Sequence, residues 1–294
     1  MTPHKADAMN SPAQISGQSR SIGAILIDAG RLSPENAERV LRVCREQGTR
    51  FGDAAIQLGV ITQLDVDFAL ARQFDYTYLQ RGDQSVAEEV VAAFAPNTPA
   101  VESLRAVRTQ LMLRWFDGEP SHRAMVITSP EHGEGRSWLA ANLAVVFSQL
   151  GERTLLIDAD MRRPRQHALF KLDNRMGLSA LLSGRAGPEV IKRITPLLGL
   201  SVLPAGATPP NPQELLARPA MAQLLENIGE AFDVVIIDTP PAVSFADAQT
   251  VAARAGAALL VARKNASSSS LLLETADAMA NGGASVVGSV INEN

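Results

Sequence analysis

The stretch Ala124–Ala144 reads AMVITSPEHGEGRSWLAANLA. Its first residues, Ala124 to Ile127, form an apolar run with the length of a buried strand, and Leu139, Leu143, Val146 and Phe147 then recur at helical spacing. A glycine-bearing turn lies between them. Strand, turn and helix in that order are the setting of a phosphate-binding loop. Gly133 and Gly135 let backbone N–H groups turn onto phosphate oxygens at the N-terminus of the following helix. The expected nucleotide contacts are therefore Gly133, Glu134, Gly135, Arg136, Ser137 and Trp138, with the Ser137 hydroxyl placed for Mg²⁺. Arg136 stands where the usual motif has lysine; it keeps the charge, but its planar fork is larger than an ammonium. Pro130 replaces the first glycine of the strict pattern. Taken alone, HGEGRS also fits an ordinary glycine turn.

Two later stretches add weight. Thr154 to Asp160, TLLIDAD, and Phe232 to Pro241, FDVVIIDTPP, are further short apolar strands that end in carboxylates. In a parallel sheet covered by helices on both faces, ligands sit outside the carboxyl ends of the strands. There Asp158, Asp160 and Asp238 would join Ser137 around one Mg²⁺, whose hard-oxygen chemistry suits carboxylates, phosphates and water. Each aspartate singly is also explained as a turn residue or helix cap. Together these stretches predict an α/β fold: a doubly wound, mainly parallel P-loop sheet.

In this order TSP-x-x-G-x-G-x-S-x-x-x-x-NLA, LLIDADMRRP, GLSVLPAG-x-x-PPNP-x-ELL and FDVVIIDTPP resemble the bacterial tyrosine kinases (BY-kinases) of polysaccharide export. The likeness is greatest to the EpsG-type chain-length-determinant branch and runs from about residue 100 onward. It implies an ATP- and Mg²⁺-dependent protein-tyrosine kinase that regulates exopolysaccharide chain length or export. In it Asp158 would polarise the acceptor hydroxyl, Asp160 would organise the metal beside it, and Arg136 would neutralise phosphate charge. Ser137, Asp158 and Asp238 would hold the metal, directly or through water, and Asn292 would meet adenine. An E-x-x-R-x-x-R helix, here Glu102, Arg105 and Arg108, implies ring-like self-association, although such charges on one helix face are also commonly just solvated. The implied partner is an inner-membrane chain-length-determinant protein that activates the kinase and recruits it from the cytoplasm. Family members commonly continue into a tyrosine-rich tail. This sequence has no tyrosine after Tyr78, which keeps a second expectation open, a nucleotide-binding regulatory scaffold with little phosphotransfer.

The 294 residues and 46% hydrophobic content predict about two domains with ordinary cores. A formal charge of −4 argues against general nucleic-acid binding, and the single cysteine, Cys44, excludes an internal disulfide. No apolar run approaches the ~18 residues of a membrane span. Residues 1–19 are polar and read as a disordered tail. From Ser21 an internal repeat begins: SIGAILIDAGRLSPENAERVLRVC aligns with RFGDAAIQLGVITQLDVDFALARQ, each copy a short helix, a glycine stop, a Ser or Thr start (Ser33, Thr62) and a longer amphipathic helix. The expected small helical domain, residues 20–80, resembles the N-terminal domain of type II secretion and pilus-assembly ATPases. That resemblance implies cyclic di-GMP as a ligand through Arg50, Gly52, Gly59 and Gln73; the bland alternative is a docking domain with glycine helix stops. Tyr76 and Tyr78 close it, as edge residues or phosphate acceptors. Residues 81–100, with Gly82, Pro96 and Pro99, read as a linker holding a short helix, and residues 101–294 as the P-loop domain. Within it Pro188 to Ile194 reads as a helix. Arg162 and Arg163 are candidates for phosphate or an acidic acceptor, and Asp247 for a helix cap.

Overall fold

The computed structural model describes residues 21–73, 78–79 and 82–293. The expected tail and Tyr76 lie outside them. The chain divides into two compact units, Met1–Tyr76 and Thr77–Asn294.

The first unit consists of α1 (Ile22–Asp28), α2 (Pro34–Gln47), α3 (Phe51–Gln57) and α4 (Gln63–Gln73). The two copies start their helices differently. Ser21 and Ser33 Oγ accept from Ala24 N and Asn36 N, and Asp65 accepts from Thr62 N at 2.9 Å, whereas Arg50 gives α3 no side-chain cap. Ile25, Leu26, Val40, Ala54, Ala55 and Val66 form its core. Asp65 also accepts from Thr62 Oγ1 and from Arg31 at 2.8 Å. Burial alone would raise its pKa, but the Thr62 and Arg31 bonds overcome that and hold it below 3.8. Its stabilising effect is therefore present above the ordinary carboxylate range and lost as pH falls through the lowered value. Asp65→Asn is expected to weaken this unit by about 1 kcal/mol, seen as faster amide exchange across residues 22–73 of the full chain near neutral pH. The difference from wild type should shrink in strong acid.

The second unit begins with α5 (Val91–Phe94) and α6 (Pro99–Arg114) and continues as β1 (Ala124–Thr128), α7 (Arg136–Gln149), β2 (Thr154–Asp158), α8 (Gln166–Leu169), α9 (Leu178–Leu182), β3 (Lys192–Arg193) and β4 (Leu200–Leu203). It ends with α10 (Pro212–Ala217), α11 (Pro219–Ile228), β5 (Val234–Asp238), α12 (Asp247–Ala255), β6 (Ala257–Arg263), α13 (Ser269–Asn281) and β7 (Ser285–Asn292). The sheet order is β3-β4-β2-β5-β1-β6-β7, parallel except for β3. Successive strand residues face opposite sides. Met125, Ile127, Leu156 and Ile236 pack beneath α5, α6 and α7, while Val126, Leu155, Ile157 and Ile237 pack under α9 to α13. This is the doubly wound α/β sheet expected from the sequence.

Two expectations are corrected. Residues 81–100 are not a linker: Val86, Val90, Ala92 and Ala93 are buried in the core that includes α7. Asn142, hidden in α7, accepts from Ala92 N at 2.9 Å and donates to Glu89 O, and Gln149 Nε2 donates to Ala92 O. The apolar run before the prolines thus finds a polar seam on the P-loop helix that satisfies its backbone. The helix expected over Pro188 to Ile194 is only a 3₁₀ turn, Pro188–Val190. Lys192 and Arg193 then pair antiparallel with β4, two exposed cations on a short sheet edge, a common way to blunt further pairing.

Candidate functional site

β1, β5 and β2 adjoin, so their carboxyl ends meet. Ile127 pairs with Asp238, and Asp238 with Asp158. The loop after β1 turns through Gly133 (φ 79°) and Gly135 (φ 98°), and Gly135 caps α7. A Cβ added at Gly135 would meet the side chain of Asn292. Glycine is needed there for both conformation and space. Asn292, at the end of β7, donates to Glu134 O at 3.2 Å, so its side chain holds the loop rather than standing clear of it. Glu134 is buried, accepting from Glu131 N at 2.7 Å and from the Ser267 hydroxyl. Trp138 is half-buried and packs on the core beneath α7.

Arg136 is turned under the loop. It is 7% exposed; Nε donates to Thr239 O at 3.0 Å, and its guanidinium donates to Ser129 Oγ and Glu131 O. Burial lowers its pKa, against the opposing pull of Asp238, Asp160 and Glu134. The fork therefore ties the end of β1 to the end of β5.

Asp158 and Asp238 are fully buried. Asp158 Oδ2 accepts from Arg165 N at 3.0 Å and Gln166 N at 2.9 Å; Asp238 accepts from Gln166 Nε2 at 2.8 Å, with the Ser137 hydroxyl near enough to lower its pKa. Asp158 Oδ1 and Asp238 Oδ1 are buried without a hydrogen-bond partner. Burial, then the charge of Asp238, pushes Asp158 well above its ordinary value. Burial raises Asp238 to about 6, despite the bond from Gln166, the nearby Ser137 hydroxyl and the nearby Arg136. Two orphaned carboxylate oxygens beside a serine hydroxyl form a hard donor set that fits Mg²⁺, which uses one or two carboxylates and completes its shell with phosphate and water.

Of the expected trio of aspartates, Asp160 lies close enough for its charge to raise the pKa of both Asp158 and Asp238. Asp160 turns its Oδ1 onto the N–H groups of Arg162 and Arg163 at 3.2 and 2.9 Å, closing its own loop. Among the described residues no cluster of three or more His, Cys, Asp or Glu is arranged to hold a metal. Arg162 binds Asp247 at 2.7 Å and lies over the Phe245 ring, so it is engaged within the chain; Arg163 is exposed. Sequence reasoning missed Gln166, which touches both carboxylates. Its only signal is an uncharged amide in the strongly basic run RRPRQH.

The E-x-x-R-x-x-R residues make contacts within the chain. Glu102 is exposed and pairs with Arg105, which donates to Tyr78 Oη at 2.8 Å. Arg108 donates to Val146 O at 2.8 Å, near the C-terminal end of α7. In the helical unit Arg50 is exposed at the N-cap position of α3, where its side chain makes no capping bond. Gly52 allows the close approach of Val66, Gly59 takes φ 66°, and Gln73 ends α4 half-buried.

Comparison with known proteins bears on the family and the fold. Residues 122–268 match the AAA domain family model. The tyrosine-protein kinase YwqD of Bacillus subtilis is 36% identical over 203 residues, 69% of this chain and 85% of that protein. The chain belongs to the bacterial tyrosine-kinase family. The BY-kinase fold is matched as well: the kinase domain of Escherichia coli tyrosine kinase ETK superposes with a TM-score of 0.67 at 33% identity, covering 74% of this chain and 85% of that one. The putative tyrosine-protein kinase EpsB of Ralstonia solanacearum is 36% identical over 231 residues, 79% of this BY-kinase family member but only 29% of EpsB. No helix among the described residues is long and apolar enough to cross a membrane.

Proposed function

We propose that the chain is an ATP- and Mg²⁺-dependent protein-tyrosine kinase that regulates exopolysaccharide chain length or export. The observation that carries this is the in-register pair Asp158 and Asp238, each with one buried oxygen lacking a donor, beside Ser137 at the start of the P-loop helix. Ser137, Asp238 and Asp158 would hold Mg²⁺, directly or through water, and the ion would supply charge neutralisation for the phosphates. The backbone N–H groups of residues 133 to 137 cradle the phosphates, and Arg136 supplies positive charge from beneath the loop. Asp158, in register with Asp238 at the carboxyl ends of the strands, would take the proton of the acceptor tyrosine hydroxyl. That acceptor is a tyrosine of another protein, or Tyr76 or Tyr78.

A cytoplasmic protein recruited and activated by an inner-membrane chain-length-determinant partner fits this role. Self-association would use Glu102 and Arg105, while the Arg108 contact with α7 makes that residue a link from the assembly helix to the P-loop helix. For the helical unit we assign docking. Packing and turn geometry account for Gly52 and Gly59, which leaves Arg50 and Gln73 to carry any binding of cyclic di-GMP.

One observation favours a second reading. The three contacts of the Arg136 fork hold it to the protein's own Ser129, Glu131 and Thr239, as in a nucleotide-binding scaffold that transfers little phosphate. Incubation with γ-labelled Mg-ATP, with and without the partner's cytoplasmic segment, separates the two. The kinase reading expects label on tyrosine that increases with the partner. ATP binding without label in either condition would replace it with the scaffold.

A further inference from the structure

Gln166 is fully buried in the four-residue helix α8. Its backbone N–H donates to Asp158 Oδ2 at 2.9 Å, and its side-chain Nε2 donates to Asp238 Oδ2 at 2.8 Å and to Ser137 O at 3.0 Å. One residue thus holds one oxygen of each carboxylate and the backbone of the P-loop serine. The opposite oxygens, Asp158 Oδ1 and Asp238 Oδ1, remain without donors, as does Gln166 Oε1.

A buried amide with an orphaned carbonyl is a costly brace for a loop, and buried polar groups left unsatisfied call for a reason. Holding a carboxylate by one oxygen fixes the direction in which the other is offered. Groups behind metal ligands act in this way, orienting the ligands and tuning their basicity. We propose that Gln166 is the positioning residue of the Mg²⁺ site: it locks Ser137, Asp238 and Asp158 into one relative geometry, so that the metal contributes to nucleotide binding. This rests on the nucleotide-and-metal reading given above.

The test is titration of the full chain with a fluorescent ADP analogue, once in Mg²⁺ and once in EDTA, with the ratio of the two affinities as the readout. Gln166→Met fills a similar volume and keeps the backbone bond to Asp158 while removing the Nε2 donor; Gln166→Ala is the second variant, should the first fail to fold. Wild type is expected to bind more tightly in Mg²⁺. In the variants that tightening should fall by about 10-fold, the usual scale for removing a group behind a metal ligand, with affinity in EDTA unchanged. Mn²⁺ binding in the presence of ADP, followed by electron paramagnetic resonance, should weaken in parallel. An undiminished Mg²⁺ effect in the variants would overturn the proposal. Equal weakening in Mg²⁺ and EDTA would overturn it too, since that is the mark of a mere loop brace. If wild type itself shows no Mg²⁺-dependent binding, the nucleotide-and-metal reading fails first.

Discussion

Asp158→Asn and Asp238→Asn are each expected to lower Mg²⁺-dependent phosphotransfer by about 10²-fold or more, while making the metal-free protein more stable at alkaline pH. The two effects have one cause. Both carboxylates are buried beside each other, and burial raises both pKa values, Asp238 to about 6. The folded state therefore binds their protons more tightly than the unfolded chain does. Stability is greatest below the ordinary carboxylate value, declines as pH rises toward the raised one, and stays low beyond it. Asparagine keeps an acceptor for Gln166 and removes the charge. In thermal melts in EDTA, the variants should exceed wild type at about pH 8 and converge with it near pH 4. With Mg²⁺ and ADP the order should reverse, because only wild type gains the bound metal. A variant that kept full transfer activity, or melted lower than wild type at alkaline pH in EDTA, would remove Asp158 and Asp238 from the site.

How much of this was legible in sequence follows from the range of the interactions concerned. The P-loop and the two acid-ended strands were readable because a short apolar run, a glycine turn and a terminal carboxylate are local signals. That Asp158 pairs directly with Asp238 was not, since β5 inserts between β1 and β2 and nothing near either strand encodes that order. The same holds for Gln166, which reaches across two strands from a helix too short to leave a period. Arg136 was identified at the lysine position, but its direction depends on Thr239, 103 residues away along the chain. The error over residues 81–100 has another origin. Gly82, Pro96 and Pro99 are strong punctuation, and they outweighed Val86, Val90 and Ala92, whose burial depends on the amide of Asn142 some fifty residues later.

Arg136→Ala is expected to lower the melting temperature of the P-loop unit by roughly 10 °C. Arg136 is 7% exposed, and its removal takes the donor from Thr239 O and leaves Ser129 Oγ and Glu131 O only their bond to each other. It also removes the cation that opposes Asp238, Asp160 and Glu134. Breaking a buried charge arrangement by deleting one side costs about 3–5 kcal/mol, and in a unit of this size each kcal/mol is worth about 2–4 °C. Arg136→Lys should recover part of the loss: an ammonium restores the charge, but it cannot donate in the two directions of the planar fork at once. The melting temperatures should therefore rank wild type, Lys, Ala. Nucleotide affinity need not follow that order. If the fork serves chiefly to join the ends of β1 and β5, the lysine variant binds ADP as tightly as wild type despite melting lower. Should Arg136→Ala melt with wild type, the contacts beneath the loop carry no weight, and the arginine belongs to the phosphates alone.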